Sequence, residues 1–272
     1  MTTIGLAATG LWSIATELAG TFALRPYVFG FLAFFLFAGI RDLGRARTLA
    51  LLLWGGVVAL VAELVSTRVG VPFGLYHYVG DTRGAELYLG NVPFFSPLSF
   101  PFLAYAALCR ARGALGPAWA STRAGRARTV VVGGALMMLL DLVIDPLAVR
   151  GGRWFLGHLF DYPEGGIYFG VPPSNFLGWL VVGWVTLGGL VWTARSPSRS
   201  GSPMLGSVLY YLVLAVNLTV TLWIGEMVLA ATGIVVHAIV FLLLYSVNRV
   251  TVGRWSAEPL PAPIVTSGGP RP

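Results

Sequence analysis

The sequence has no lysine and a single cysteine, and charged residues make up only 11% of it. A soluble domain carries about twice that share of charge, so an ordinary soluble enzyme is excluded. One cysteine, Cys109, excludes an internal disulfide and a cysteine metal cluster. Histidine is scarce as well: His77, His158 and His237 lie far apart, and His237 has no second ligand one helical turn away. No phosphate-cradling glycine loop, dinucleotide fingerprint or Ser–His–Asp pattern is present, and no multi-acid repeat of the kind that holds magnesium on a diphosphate. The expectation is chemistry with no metal and no cofactor. The missing lysine reads as base composition and carries no functional meaning.

What is present is apolar. Hydrophobic residues are 56% of the 272, the mean hydropathy is +0.78, and several runs approach the ~20 residues needed to cross a bilayer. The pattern predicts helices near 5–23, 26–40, 48–67, 94–109, 129–149, 176–194, 205–224 and 228–247. That is an all-α polytopic integral membrane bundle of about eight transmembrane helices, with seven as the alternative because Pro26 joins the first two so tightly. Residues 1–257 read as one transmembrane domain, and the Pro- and Gly-rich stretch 258–272 as a disordered tail. Residues 1–16 carry no basic residue and Glu17 interrupts the first apolar run, which argues against a secretory signal.

Loop charge gives an orientation. Arg41, Arg45, Arg47, Arg110, Arg112, Arg123, Arg126, Arg128, Arg195, Arg199, Arg249, Arg254 and Arg271 fall on one side of the map, and Arg25, Arg68, Arg83, Arg150 and Arg153 on the other. This 13-to-5 split is membrane topology and not a nucleic-acid face. It places both termini in the cytoplasm of a cell (inner) membrane. Asp42 and Glu258 fall on the cytoplasmic side, and the other nine acids in the outer half or beyond. The long outer loops 68–93 and 150–175 are rich in Gly, Pro and aromatics, as loops that cover a site are. A short echo links them: Tyr88-Leu-Gly-Asn-Val-Pro93 and Tyr168-Phe-Gly-Val-Pro172 each precede a new helix, after an acid (Glu63, Asp145) that ends the previous one.

Candidate chemistry gathers there. Asp141 and Asp145, four apart, share a helix face, and a carboxylate within a bilayer costs roughly 2.5–3.5 kcal/mol at the helix centre unless it has a partner or a task. Asp145 could instead end its helix before Pro146. Glu63 is expected at a similar depth, as part of an acid–base set or as a salt bridge to Arg68 or Arg150. Tyr76 and Tyr78 alternate with His77, so an extended chain puts both phenols on one face, where aromatic rings can stabilise a cation. Phe73, Trp154, Tyr168 and Trp179 have the same capacity, or belong to an interfacial aromatic belt. Asn175 could cap a helix or orient a water or a carboxyl.

The segments Gly70-Val-Pro-Phe-Gly-Leu-Tyr-His-Tyr78, Asp141-Leu-Val-Ile-Asp-Pro146 and Tyr168 to Trp179, in this order, resemble the membrane carotenoid biosynthesis family that holds bisanhydrobacterioruberin hydratase and the carotenoid 1,2-hydratases. Asn91-Val-Pro-Phe-Phe-Ser-Pro97 departs from the Pro-Leu-Leu-Ile-Pro-like run expected there, which bears on the shape of a substrate tunnel. The resemblance implies a cofactor-free hydratase acting on the acyclic end of a long polyene carotenoid within membrane lipid, in association with other enzymes of the pathway. For such a reaction the residues above suggest Asp141, Asp145 and Glu63 as catalytic, one aspartate giving the proton and Glu63 or the other aspartate holding the water, with Tyr76, Tyr78, Phe73, Trp154, Tyr168, Asn175 and Trp179 on the substrate. An end-group cyclase would begin with the same protonation. A proton-coupled transporter would also use intramembrane acids, although no pair of broken helices in matching halves is visible.

Overall fold

The structure, a computed structural model, describes residues 3–116, 119, 121–193 and 201–257, with side chains from 12 to 247. Arg195, Arg199, Glu258, Arg271 and the tail 258–272 lie outside the described residues, as do the side chains of Arg249 and Arg254. Glycine and proline cut the apolar runs into eight helices: α1 (Thr3–Leu24), α2 (Pro26–Asp42), α3 (Arg45–Val69), α4 (Phe95–Leu115), α5 (Arg123–Ala148), α6 (Pro173–Thr193), α7 (Met204–Trp223) and α8 (Met227–Ala257). Pro26 opens α2 at the position where a missing N–H costs nothing, and Gly70 ends α3 in the left-handed conformation. All eight expected helices are present.

Five of them, α3, α5, α6, α7 and α8, have the length and apolarity to cross a membrane. The chain turns through 90° between α1 and α2, so these two cannot both run along one bundle axis and count as one span at most. Among the described residues, five or six spans meet this test of length and composition, where about eight, or seven, are expected from the sequence. The other helix short of that standard is α4, whose sequence holds three prolines or serines in its first turn and a half and two arginines near its end. It can be polar because it is enclosed: α4 touches α2, α3, α5, α6, α7 and α8, and every residue from Phe100 to Cys109 is buried.

The helix pair in the most extensive contact is α5–α6. A Cβ on Gly134 would lie 2.3 Å from the Trp184 ring, and one on Gly183 would lie 3.0 Å from the Gly134 Cα. Small residues let two membrane helices approach in this way. Running antiparallel from that contact, about two turns bring Asp141 of α5 opposite Asn175 of α6.

The α3–α4 and α5–α6 units are sequence and structural echoes of each other, and more fully than the turn motif alone suggests. Gly55-Gly56 precedes Glu63 as Gly133-Gly134 precedes Asp141, eight residues from the first glycine to the acid in both. Tyr88–Leu89 (β2) pairs with Val92–Pro93 (β3) around Gly90, and Tyr168 bridges Val171 around Gly170, both glycines at positive φ. Ser96 and Asn175 each follow the Val-Pro by three residues, and Phe100 and Trp179 by seven. In this frame Glu63 matches Asp141, and not Asp145 as the turn motif alone suggests.

Two buried ion pairs fix the ends of the bundle. Arg112 of α4 grips Asp42 of α2 at 2.5 and 2.9 Å and also donates to Gly201 O. At the loop face, Arg25 donates to both Glu86 oxygens at 2.9 and 3.1 Å and to Leu156 O at 2.6 Å. Arg25 thereby joins the α1–α2 break to both long loops. These loops meet again where His77–Tyr78 (β1) pairs antiparallel with Phe160–Asp161 (β4).

Candidate active site

Between the loop layer and the helices lies a cavity with about 920 Å³ of space between its atoms, open mouth included. About half of its lining is aromatic: Phe73, Tyr76, Phe100, Trp154, Phe160, Tyr162 and Trp179 among others. Its polar groups are few and specific, namely Glu63, Asp145, Ser96, Ser99, Asn175, Asn217 and the tyrosine hydroxyls. An apolar pocket with a few convergent polar groups is the usual form of a small-molecule site.

Glu63, 2% exposed, rises from α3. Its Oε2 lies 2.9 Å from the Tyr78 hydroxyl and its Oε1 2.8 Å from the Ser96 hydroxyl, while those two hydroxyls are 3.0 Å from each other. Neither arginine weighed as a partner reaches it. Arg68 turns to Leu64 O, and Arg150 to Pro146 O, Phe169 O and Glu226.

The second polar group sits on α5 and α6. Asn175 gives one amide proton to Asp141 Oδ2 at 2.7 Å and the other to Asp145 Oδ2 at 2.8 Å, and the Trp179 indole N–H adds a bond of 3.1 Å to Asp145. Asn175 therefore holds the two acids together and does not cap α6. Asp145 does not end its helix either: α5 continues through Pro146 to Ala148. Asp145 opens onto the cavity. Asp141 is fully buried behind it, and its Oδ1 has no hydrogen-bond partner among the described residues.

The loop layer closes the site with rings packed mostly edge to face. The alternation expected around His77 is present: Tyr76 and Tyr78 line the cavity together with ring centroids 5.5 Å apart, while His77 points out. Phe160 lies 5.5 Å from Tyr76 and Tyr162 5.7 Å from it. Burial pushes the Tyr76 and Tyr78 hydroxyls well above the usual phenol range. Both remain protonated at any working pH. Where the two echoed units meet, Phe100 and Trp179 stack 4.4 Å apart and 5° from parallel, with Phe73 6.0 Å from each.

Of the ten residues singled out from the sequence, eight line this cavity: Glu63, Phe73, Tyr76, Tyr78, Asp145, Trp154, Asn175 and Trp179. Asp141 lies one layer behind. Tyr168 stands apart, its hydroxyl on Leu142 O and its ring against Phe169 and Phe176. Ser96, Phe100, Phe160 and Tyr162 were not singled out. The first two had a signal, since they occupy the places of Asn175 and Trp179 after the repeated Val-Pro. The other two reach the site through a strand pairing between distant loops, which leaves no periodic trace. Among the described residues, no three of the His, Cys, Asp and Glu side chains converge to hold a metal.

The chain is 34% identical over 171 residues to the bisanhydrobacterioruberin hydratase of Haloarcula japonica, a stretch covering 62% of this chain and 51% of that one. The match thus spans about half the length of that relative. No solved structure matches significantly. The family model described as carotenoid biosynthesis protein matches residues 14–244, nearly all of the helical bundle, and the chain belongs to that family.

Proposed function

We propose that the protein is a carotenoid hydratase, adding water to the terminal trisubstituted double bond of an acyclic carotenoid end group. The observation that carries this reading is the placing of two carboxyls from different helices, Glu63 and Asp145, in one aromatic-walled cavity. Hydration of an unactivated alkene needs three things: a proton for one carbon, shelter for the tertiary cation that results, and a base to deprotonate the attacking water. Two carboxyls in unlike surroundings can supply the proton and the base. The faces of Tyr76, Trp154, Phe160 and Trp179 supply the shelter, worth up to about 2 kcal/mol for a desolvated cation on one ring. The product is a tertiary alcohol. The related hydratase supports the same class of reaction.

The test is to supply membranes containing the protein with an acyclic carotene and follow its mass. A gain of one water is expected. Isomerisation without a mass change would identify an end-group cyclase, in which a neighbouring double bond captures the cation. An unchanged substrate would remove the enzyme reading and return the intramembrane acids to proton transport.

A further inference from the structure

We infer that Glu63, Tyr78 and Ser96 form a proton-carrying ring that is the acid of the reaction, and that Asp145 is its water-activating base. The assignment rests on the hydratase reading for its substrate, but its basis is a count of protons. The three side chains make a closed triangle of oxygen contacts at 2.8, 2.9 and 3.0 Å. Each contact needs one hydrogen between its oxygens. Tyr78 and Ser96 bring one hydroxyl proton each. With Glu63 ionised, one edge of the triangle would be lone pair against lone pair. A proton on Glu63 completes the ring: Glu63 donates to Tyr78, Tyr78 to Ser96, and Ser96 back to the other Glu63 oxygen, or the same in reverse.

The surroundings of Asp145 differ in kind. Its Oδ2 receives the Asn175 and Trp179 N–H groups. Neither N–H can accept a proton in return, and such donors suit an ionised carboxylate. The Asp141 carboxyl, walled off from the cavity, also hydrogen-bonds Asp145, so a proton shared by that pair can sit on Asp141; the two cavity carboxyls are then in opposite states at rest, and the site is poised in one direction.

The ring also accounts for an acid that is both buried and effective. When one proton leaves for the less substituted alkene carbon, the π pair forms the new C–H bond and the other carbon becomes the cation. Two protons then remain in the triangle, and both hydroxyls turn to the carboxylate, Tyr78 to Oε2 and Ser96 to Oε1. The charge that appears on Glu63 thus meets donors already in place, which is how preorganised sites stabilise charge as it develops. Water closes on the cation and passes a proton to Asp145. Return of that proton to Glu63 resets both groups. Ser96 has no contact assigned to substrate here and acts as a positioning residue.

Infrared spectroscopy of the purified protein tests this without any turnover. The wild-type-minus-Glu63→Gln difference spectrum at neutral pH is expected to contain the C=O band of a protonated carboxylic acid, sensitive to deuterium oxide. Ser96→Ala removes two of the three contacts and leaves only the one between Tyr78 and Glu63, so the band should shift in frequency or be lost. Asp145→Asn should remove a carboxylate band instead. A Glu63 signal in the carboxylate region, or a band unmoved by Ser96→Ala, overturns the ring. Failure of hydration with the acid band present would instead overturn the reaction assigned above and leave the resting proton on Glu63 in place.

Discussion

The Trp179 indole donates its N–H to Asp145 at 3.1 Å while its ring lies flat on Phe100, 4.4 Å away. One side chain thus joins the carboxyl of α5 to the aromatic seam between the two echoed units. Trp179→Phe keeps the stack and removes the donor. A single hydrogen bond is worth about 1 kcal/mol, so hydration should slow about fivefold with the melting temperature little changed. A loss of fold without a specific kinetic defect would make the bond merely structural.

Position separates the paired acids. Asp145→Asn should cost about 10²–10⁴ in rate, the usual contribution of a positioned acid or base. Asp141→Asn removes a carboxyl that does not reach the cavity, and an amide there also relieves the cost of burying charge. Its turnover should stay within tenfold of wild type, with thermal stability in detergent held or raised. Equal defects in both variants would contradict this division.

Arg25 and Glu86 are both almost wholly buried. Breaking a buried pair by removing one partner costs about 3–5 kcal/mol, because the other charge is left uncompensated. Arg25→Ala or Glu86→Ala should therefore lower the melting temperature strongly, and the double replacement less than the two single effects added. Strict additivity would show that the pair is not coupled.

Glu226, between α7 and α8, bonds Arg153 and Arg150. Partial burial pulls its carboxyl up, but the bonds and charges of these two arginines outweigh that and hold it below the usual carboxylate range. A group lowered by folding stabilises the fold above its unfolded pKa, near 4.3, and ceases to as pH falls through the folded value. The link between the 150–153 segment and the α7–α8 turn should be intact at neutral pH and weaken below pH ~4. Hydrogen exchange at Ile224–Glu226 should rise there in the wild type, and Glu226→Gln should already show the faster exchange at neutral pH.

Orientation follows from arginine placement. Reporter fusions at 45 should read cytoplasmic, and fusions near 80 and 160 external. An external signal at 45 would invert the map.

The helices were legible because each run of apolar residues is bounded by glycine, proline or arginine. Much of the site was legible too, because acids, asparagine and tyrosines within membrane-length segments stand out against hydrocarbon. Three features were not. The meeting of β1 with β4 depends on distant loops and has no local pattern. The match of Glu63 with Asp141 was hidden by Asp145, a more conspicuous acid one helical turn further along, which corresponds to Thr67 in the other unit. The sharp turn at Arg25 was also illegible, since a tight connection between two apolar runs says nothing about the angle between them.

The enclosure of α4 bears on how the protein is made. A helix with serines, prolines and two arginines gains little by entering lipid alone, yet here it has neighbours on every side. It is expected to settle only once α3 and α5 are there to receive it, so the chain must gather its helices before the site exists. Substitutions at Gly55, Gly133 or the face of α4 should then appear first as failures of biogenesis, with little mature protein, rather than as slow enzymes.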